Sequence, residues 1–401
     1  MANMHLDWFE TLLARYTAAE TREVLGAIGL VVDREGIVRY HHAGGLQSLA
    51  KDAQVLDKEA VLELGSAGKL WTHIAALQLV DRGLIRLDEP VSKYLPELES
   101  PQIVIRDASS TTDGKGKLVL QESIKVITLQ HLLTHTSGIG SPSDPLLKQW
   151  HTQNSTLSEK KPESTPVLLL FTPGEGWNYG PSINWTGKLI VEVTEQILPD
   201  YIDRHILKPL GMDSSTFSPL DDSTSRPDLR ERRLQMVARE AGSDGSTTQL
   251  HIAKRAPPMS PATTASDYGK LLTALMSASS VQANILSKDS IDLLFSGQLS
   301  GKALSDFRAD TETYAAPTGL HANVTNPKVN FTAAGALLVE EEIPLSGFPS
   351  QTLTWNGMPN VIWSVNREIG KAAVFATQLL PVDDEVAIEL AMGFLKGAWS
   401  G

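Results

Sequence analysis

The fold is decided by a stretch that begins Leu64-Gly65-Ser66-Ala67-Gly68-Lys69 and continues to Asp81. Apolar residues recur every three or four positions along it, which is the spacing of one helix face. Gly83 follows and is typical of a helix end. The stretch therefore predicts a long buried helix that is opened by a serine. Its apolar positions are Leu70, Ile74, Leu77 and Val80.

Ser66 and Lys69 form an S-x-x-K pattern at the start of this helix. Positions i and i+3 share a helix face, so the hydroxyl and the amine can reach each other. The unpaired N–H groups and the positive dipole end of a helix start favour developing negative charge. These features suit a nucleophilic serine. On spacing alone the alternative stays open that Ser66 only caps the helix and Lys69 is solvated.

The same spacing occurs twice more, at Ser48-Leu49-Ala50-Lys51 and Ser158-Glu159-Lys160-Lys161. The first copy follows a Gly-Gly turn and the second lies in a polar stretch, and neither is followed by a long apolar helix. Only the Ser66 copy is predicted to open a buried helix.

A tyrosine lies between turn residues in Asn178-Tyr179-Gly180-Pro181-Ser182. By itself Tyr179 is more typical of a pocket wall. A phenol beside an ammonium group loses its proton more readily than a free phenol and can then accept the proton of a serine. Tyr179 is therefore a candidate general base if the fold brings it to Lys69.

A strand that runs into a turn is predicted at Leu353-Thr354-Trp355-Asn356-Gly357-Met358-Pro359-Asn360. A backbone N–H in this turn can pair with that of Ser66 to bind an oxyanion. Without such a partner, Trp355 is a core residue and Gly357 a turn residue.

Together these segments resemble the serine β-lactamase and penicillin-recognising superfamily, in its branch of class C-like esterases and acyltransferases. One matching motif besides the Ser66 stretch is Leu132-Leu133-Thr134-His135-Thr136-Ser137-Gly138-Ile139. The resemblance extends over nearly the whole chain. Its segments are residues 64–69, 79–91, 127–139, 171–174, 206–212 and 264–268, with Tyr179 and Ser182.

The resemblance and the order of predicted elements imply an α/β (α+β) β-lactamase-like fold. An antiparallel sheet from both chain ends is flanked by helices and carries an inserted helical lobe. Residues 1–65 and 265–401 are expected to form the sheet lobe and residues 66–264 the mainly helical lobe, with the active-site cleft between them.

By the same resemblance, Ser66 is the acylated nucleophile, Lys69 its proton-managing partner and Tyr179 the general base. The oxyanion hole would use the backbone of Ser66 and of the strand near Gly357 and Met358. Trp355 and Asn356 are expected to contribute to substrate binding in the same turn.

Trp355-Asn356-Gly357 stands where penicillin-recognising members carry Lys-Thr-Gly. The cation that would bind a β-lactam carboxylate is missing, so β-lactam turnover is not expected. Residues 256–261 also lack the Gly-rich stretch common in the family. The turn is closer to that of the fungal transesterases of secondary metabolism.

We therefore expect a serine-dependent transesterase that moves an acyl group from a thioester or ester donor to an alcohol. A carboxylic ester hydrolase of the same fold is the first alternative. A non-acylating member that uses the cleft for binding or non-covalent catalysis is the second.

The amino-acid composition excludes or disfavours several classes of binding partner. The 401 residues carry 35 basic and 47 acidic side chains, a net charge of −12, which disfavours nucleic acid and anionic membranes. The chain has no cysteine, which excludes thiolate nucleophiles and thiolate metal sites. We expect a cytoplasmic monomer without metal or cofactor that binds small-molecule substrates and takes an acyl carrier protein as a candidate donor partner.

His131 and His135 have the i, i+4 spacing of a helical zinc site. Leucine stands where a metalloprotease carries its glutamate, so packing or capping is the favoured interpretation. Elsewhere the pattern predicts helices at 6–22, 129–133 and 386–399, strands at 27–40 and between 331 and 377, and a hairpin at 103–120. Loops are predicted at 140–164 and 243–248, and a solvated helical face at 226–240.

Overall fold

Strands from both ends of the chain form one sheet in the computed structural model. The described residues are 5–20, 22–107, 117–154, 166–220, 226–240, 249–253, 261–276, 285–315, 318–319 and 327–400. The strands are β1 (Gly26–Asp33), β2 (Val38–Gly45), β3 (Leu62–Glu63), β4 (Gln102–Asp107), β5 (Lys117–Glu122), β6 (Leu168–Leu169), β7 (Val237–Glu240), β8 (Gln249–Ile252), β9 (Ala262–Thr263), β10 (Val329–Phe331), β11 (Leu337–Val339), β12 (Thr352–Gly357), β13 (Val361–Asn366), β14 (Lys371–Ala376) and β15 (Leu379–Leu380).

The main sheet has the order β10-β11-β12-β13-β14-β1-β2 in the part of the chain that is described. Every neighbouring pair in it is antiparallel. The first strand in sequence therefore lies between the second and the fourteenth. The predicted antiparallel sheet from both chain ends is confirmed.

Helices cover the sheet and fill the inserted segment. They are α1 (Asp7–Thr17), α2 (Lys69–Asp81), α3 (Leu129–Leu133), α4 (Pro145–Gln153), α5 (Ser182–Thr194), α6 (Leu198–Ile202), α7 (Pro227–Glu231), α8 (Ala265–Met276), α9 (Lys288–Leu294), α10 (Gly301–Ala315) and α11 (Glu385–Trp399). Among them, none is long and apolar enough within the described residues to cross a membrane.

The alternation of β1 shows which helices pack on which face of the sheet. A Cβ built on Gly29 would lie 2.6 Å from Phe394 and 3.3 Å from Phe9, so α1 and α11 pack against that face. The neighbouring Leu30 meets the opposite face, where a Cβ on Gly269 of α8 would lie 2.8 Å from it. Successive strand residues point to opposite faces, so the sheet is buried on both sides.

Helix α2 is buried at every position from Leu70 to Leu79. It packs against α5 and α6 of the inserted segment. The predicted long buried helix behind Ser66 is confirmed, although it begins at Lys69 rather than at the serine.

Two sequence-based predictions are wrong. The loop predicted at 140–164 contains α4, which buries Leu147 and Trp150 on one side. The helical face predicted at 226–240 is helical only in α7, because Val237 then enters β7 and pairs with both β15 and β8. Residues 155–165 and 241–248 lie outside the described residues, and so do Ser158 and the turn of the hairpin formed by β4 and β5.

Candidate active site

Ser66 lies in a tight turn that leads directly into α2. Residues Gly65–Gly68 form one turn of 3-10 helix, and Gly65 has the positive φ of +53° that glycine adopts without strain. The buried hydroxyl of Tyr268 donates to the carbonyl of Ala67 at 2.8 Å. The N–H of Leu64 donates to Pro261 at 2.8 Å. These bonds hold the serine turn from both sides.

Lys69 connects the serine to the tyrosine. Its ammonium donates to Ser66 Oγ at 2.5 Å and to Tyr179 Oη at 3.0 Å. The same Nζ lies 4.9 Å from the centre of the Tyr179 ring. Ser66 and Tyr179 are far apart in sequence, and the fold brings both to one ammonium group. The arrangement can pass a proton between the two oxygens.

Trp355 contacts the tyrosine from the sheet side. Its indole N–H donates to Tyr179 Oη at 3.2 Å, and the ring centres lie 5.4 Å apart. The sequence analysis expected Trp355 in substrate binding, and a bond to the candidate base was not foreseen. No sequence signal indicates this bond, because it depends on how β12 meets the loop before α5.

The Tyr179 ring rests on a buried aromatic cluster. Its centre lies 4.8 Å from that of His135 and 6.2 Å from that of Trp177. Phe331 contacts the rings of His135, Trp177 and Trp355 at 5.7, 5.4 and 5.5 Å. The cluster fixes the plane of the phenol ring, because packed aromatic rings have few alternative orientations.

Two buried histidines near Lys69 stay neutral. Burial lowers the pKa of His73 to about 3, although a hydrogen bond from its Nδ1 to the Ala333 carbonyl opposes the shift. Burial also holds the pKa of His135 well below its usual value, with His73 and Lys69 adding to the effect. Neither histidine therefore adds a positive charge beside Lys69 at neutral pH.

His131 has a structural role. Its Nδ1 accepts from the N–H of Thr128, whose hydroxyl in turn accepts from the His131 N–H, so the pair caps α3. His135 packs under Tyr179 instead. Among the residues that the structure describes, no group of three or more histidine, aspartate and glutamate side chains could hold a metal ion.

Gly357 lets the end of β12 approach the serine turn. A Cβ built on Gly357 would lie 1.9 Å from the carbonyl oxygen of Leu64 and 3.0 Å from the N–H nitrogen of Ala67. A Cβ on Gly65 would lie 3.0 Å from the backbone nitrogen of Met358. The strand end can therefore come this close only because both positions are glycine.

The neighbouring Asn356 pairs with Ile362 in the sheet and is buried. It lies on the face opposite to that of Trp355 and Gly357, because side chains alternate along a strand. The structure thus brings Ser66, Lys69, Tyr179, Trp355, Gly357 and Met358 together, and leaves the Asn356 side chain on the other face.

A cavity of about 550 Å³ opens beside Ser66 and Lys69. One wall is a face of α5 with Ile183, Gly187 and Val191 at i, i+4 and i+8. The sequence analysis missed this helix and its role, although this spacing was a usable signal. The other lining residues are Gly65, Gly68, Thr72, Asn184, Lys188, Leu198, Phe217, Pro261 and Met358.

The comparisons with known proteins agree with this geometry. The family model described as Beta-lactamase matches residues 9–394. The chain belongs to this Beta-lactamase family. The resemblance predicted from the sequence is thereby confirmed.

Similar members of the Beta-lactamase family come from fungi. Acyltransferase calJ of Penicillium decumbens is 32% identical, with 98% of this chain and 97% of that protein covered. Lovastatin esterase of Penicillium rubens is 31% identical, with coverages of 96% and 98%. The unliganded structure of simvastatin synthase from Aspergillus terreus has a TM-score of 0.82 at 26% identity, covering 98% and 97% of the two chains. The protein is therefore an acyl-transferring enzyme of β-lactamase-like fold.

Proposed function

We propose that this enzyme transfers an acyl group from an ester or thioester donor to an alcohol of a small molecule through an acyl-enzyme on Ser66. The observation that carries the proposal is the hydrogen-bonded series Ser66 Oγ, Lys69 Nζ and Tyr179 Oη, with distances of 2.5 and 3.0 Å. It supplies a nucleophile and a path for its proton in one place.

The first half-reaction acylates the serine. The proton of Ser66 passes by way of Lys69 to Tyr179 as Oγ bonds to the donor carbonyl carbon. The bond from that carbon to the donor oxygen or sulfur then breaks, and Tyr179 returns the proton to the departing alcohol or thiol. The second half-reaction repeats these steps in reverse, with the acceptor alcohol giving its proton to Tyr179 and Ser66 recovering its own.

The negative charge on the carbonyl oxygen needs fixed donors. The backbone N–H groups of Ser66 and Met358 are our candidates, since the two glycines bring their segments together. In this proposal the sheet lobe of 1–65 and 265–401 supplies Met358, and the helical lobe of 66–264 supplies Ser66, Lys69 and Tyr179.

Transfer rather than hydrolysis is supported by the similarity to acyltransferase calJ, at 32% identity. Hydrolysis of a carboxylic ester is the second candidate, supported by the lovastatin esterase at 31% identity. An acyl carrier protein as donor and a monomeric enzyme are parts of the proposal. The third candidate is a protein that uses the cleft without forming an acyl-enzyme. An enzyme that keeps its activity without Ser66 would favour this candidate.

The test is mass spectrometry of the full-length protein after brief exposure to p-nitrophenyl butanoate. We expect one added butanoyl group on the peptide that contains Ser66, and none in Ser66→Ala. Ester turnover should fall at least about 10³-fold in Ser66→Ala and about 10²- to 10⁴-fold in Lys69→Ala and Tyr179→Phe. Thermal unfolding of each variant checks that it is folded.

Full activity in Ser66→Ala would overturn the proposal. The acceptor is then identified by competition between water and an added alcohol such as 1-butanol. If the butanoyl ester of the alcohol forms, the enzyme is a transferase; if only butanoic acid forms at every alcohol concentration, the hydrolase alternative holds.

A further inference from the structure

Among the described residues that line it, the cavity beside Ser66 has mainly apolar walls and one exposed charge at its edge. Ile183, Val191, Leu198, Phe217 and Met358 contribute apolar side chains. Lys188 lines the edge, where it pairs with Glu97 and lies 5.5 Å from the Trp185 ring. A pocket of this size and lining binds an apolar group rather than a charged one.

The position of the cavity relative to Tyr179 decides which part of a substrate it can hold. Ser66 and Lys69 line it, whereas Tyr179 does not. Tyr179 is contacted by Trp355 and lies toward the sheet, while the cavity extends toward α5 and Phe217. In the proposed mechanism the leaving group and the acceptor alcohol must both meet Tyr179, which protonates the one and deprotonates the other.

The acyl chain does not need to contact Tyr179. It must start at the carbon bound to Ser66 Oγ and lie away from the leaving group. The position of the cavity fulfils both conditions.

Gly187 is a gap in the wall formed by α5. It lies one helical turn from Ile183 on one side and from Val191 on the other, so all three share a face. A Cβ built on Gly187 meets only the Leu198 Cδ2 methyl within 4 Å, at 3.0 Å. Leu198 also lines the cavity, so a side chain at position 187 would extend into this space.

We propose that this cavity is the acyl pocket, that it accepts an apolar acyl chain of several carbons, and that the missing side chain at Gly187 sets the length it accepts. This inference rests on the proposed function. Gly187 acts on specificity only through the volume it leaves open. A larger residue there should exclude long acyl chains while short ones still reach Ser66.

The test compares the kcat/KM of the full-length enzyme for p-nitrophenyl acetate, butanoate, hexanoate and octanoate. We expect the wild-type kcat/KM to rise about fourfold for each methylene that the pocket buries. Gly187→Val should lower the octanoate to acetate ratio of kcat/KM at least tenfold, since its side chain takes the space of the terminal methylenes.

Two further variants make the test specific. Val191→Ala enlarges the same wall and should raise the octanoate to acetate ratio. Glu192→Val adds the same β-branched residue on the exposed side of α5 and should leave both the ratio and the rate unchanged.

An unchanged octanoate to acetate ratio of kcat/KM in Gly187→Val would overturn the inference. An effect of Gly187→Val confined to the KM of an added 1-butanol acceptor would also overturn it, because the cavity would then be an alcohol site. Failure of the proposed function can be distinguished from failure of this inference. In that case the wild-type enzyme would form no acyl-Ser66 with any of the four esters.

Discussion

The indole N–H of Trp355 donates a hydrogen bond to the phenol oxygen of Tyr179, with 3.2 Å between the two heavy atoms. The Lys69 ammonium donates to the same oxygen at 3.0 Å. Neither group can accept a hydrogen bond. Both therefore interact favourably with negative charge that develops on this oxygen during the proposed reaction.

Replacing Trp355 by phenylalanine should weaken the base while keeping an aromatic ring against Phe331. A hydrogen bond to a charged group contributes about 1.5–3 kcal/mol, so we expect kcat/KM for p-nitrophenyl butanoate to fall about 10- to 100-fold. The measurement is the kcat/KM of Trp355→Phe for this ester, compared with that of the wild type.

A matched control is Trp399→Phe, which removes an indole N–H that donates to Ser364 at 3.2 Å, outside the site residues. Its kcat/KM should equal that of the wild type. A wild-type kcat/KM in Trp355→Phe would show that the hydrogen bond to Tyr179 does not contribute to the reaction.

Gly357→Ala should separate the strand end from the serine turn. The added methyl would lie 1.9 Å from the Leu64 carbonyl oxygen, so the backbone has to move. We expect at least a 100-fold loss of acyl-enzyme formation and about 1–3 kcal/mol of destabilisation. Stopped-flow acylation and urea unfolding measure the two effects.

Gly83→Ala provides the comparison. Gly83 has a φ of +67° and nothing within 4 Å of a built Cβ, so alanine there is strained by about 1–2 kcal/mol without a steric clash. We expect Gly83→Ala to lose about as much stability as Gly357→Ala and to keep the wild-type acylation rate. Equal acylation rates in both variants would show that the approach of Gly357 to Leu64 is not needed.

A buried ion pair joins β7 to the start of α11. The Arg239 guanidinium binds both carboxylate oxygens of Asp384 and also donates to the Glu23 carbonyl at 2.6 Å. The two side chains are only 12% and 4% exposed. Arg239→Ala leaves a buried carboxylate unpaired and should lower the free energy of unfolding by about 3–5 kcal/mol.

Urea unfolding tests this, and Arg239→Met combined with Asp384→Asn should recover much of the loss, since no charge is then left buried. The exposed pair of Arg86 and Asp88 serves as a control, because Arg86→Ala should leave stability unchanged. A double variant no more stable than Arg239→Ala would contradict the explanation.

Acid should destabilise the fold through its buried histidines. Burial lowers the pKa of His73 and of His135 in the folded state, so each gains a proton only on unfolding once the pH falls below the ordinary histidine pKa of 6.5. The stability that they provide is complete above about pH 6.5 and is lost progressively below it, over a range that for His73 extends to about pH 3.

The measurement is the free energy of unfolding at intervals from pH 7.5 to pH 4.5. His73→Gln should lower the slope of the free energy of unfolding against pH on the acid side by about one proton. Equal slopes for His73→Gln and the wild type would show that His73 is not the group that titrates on unfolding.

Periodicity was sufficient for the elements with a strong pattern. The helix behind Ser66 and the strands between 331 and 377 were predicted because burial on one or both sides leaves a regular apolar spacing. β7 was missed because the arginines and acids of residues 226–240 suit a solvated helix, whereas pairing of Val237 with two other strands decides the conformation of β7.

Some residues of the candidate site could also be predicted from the sequence, and others could not. Ser66 and Lys69 could be paired from sequence because one helical turn separates them. Tyr179 and the Gly357 turn were candidates from their residues alone, and the resemblance assigned them to the same site as Ser66. The bond from Trp355, the aromatic support by His135 and the gap at Gly187 arise from contacts between segments far apart in the chain, which no local pattern encodes.

β1 lies between β14 and β2 in the main sheet, so this sheet cannot be completed until β14 has been synthesised. A ribosome completes Ser66, Lys69 and Tyr179 before it makes β12, and the sheet that carries β12 closes only when β14 has joined β1. Until then the growing polypeptide carries Ser66, Lys69 and Tyr179 without the strand whose end contacts the serine turn.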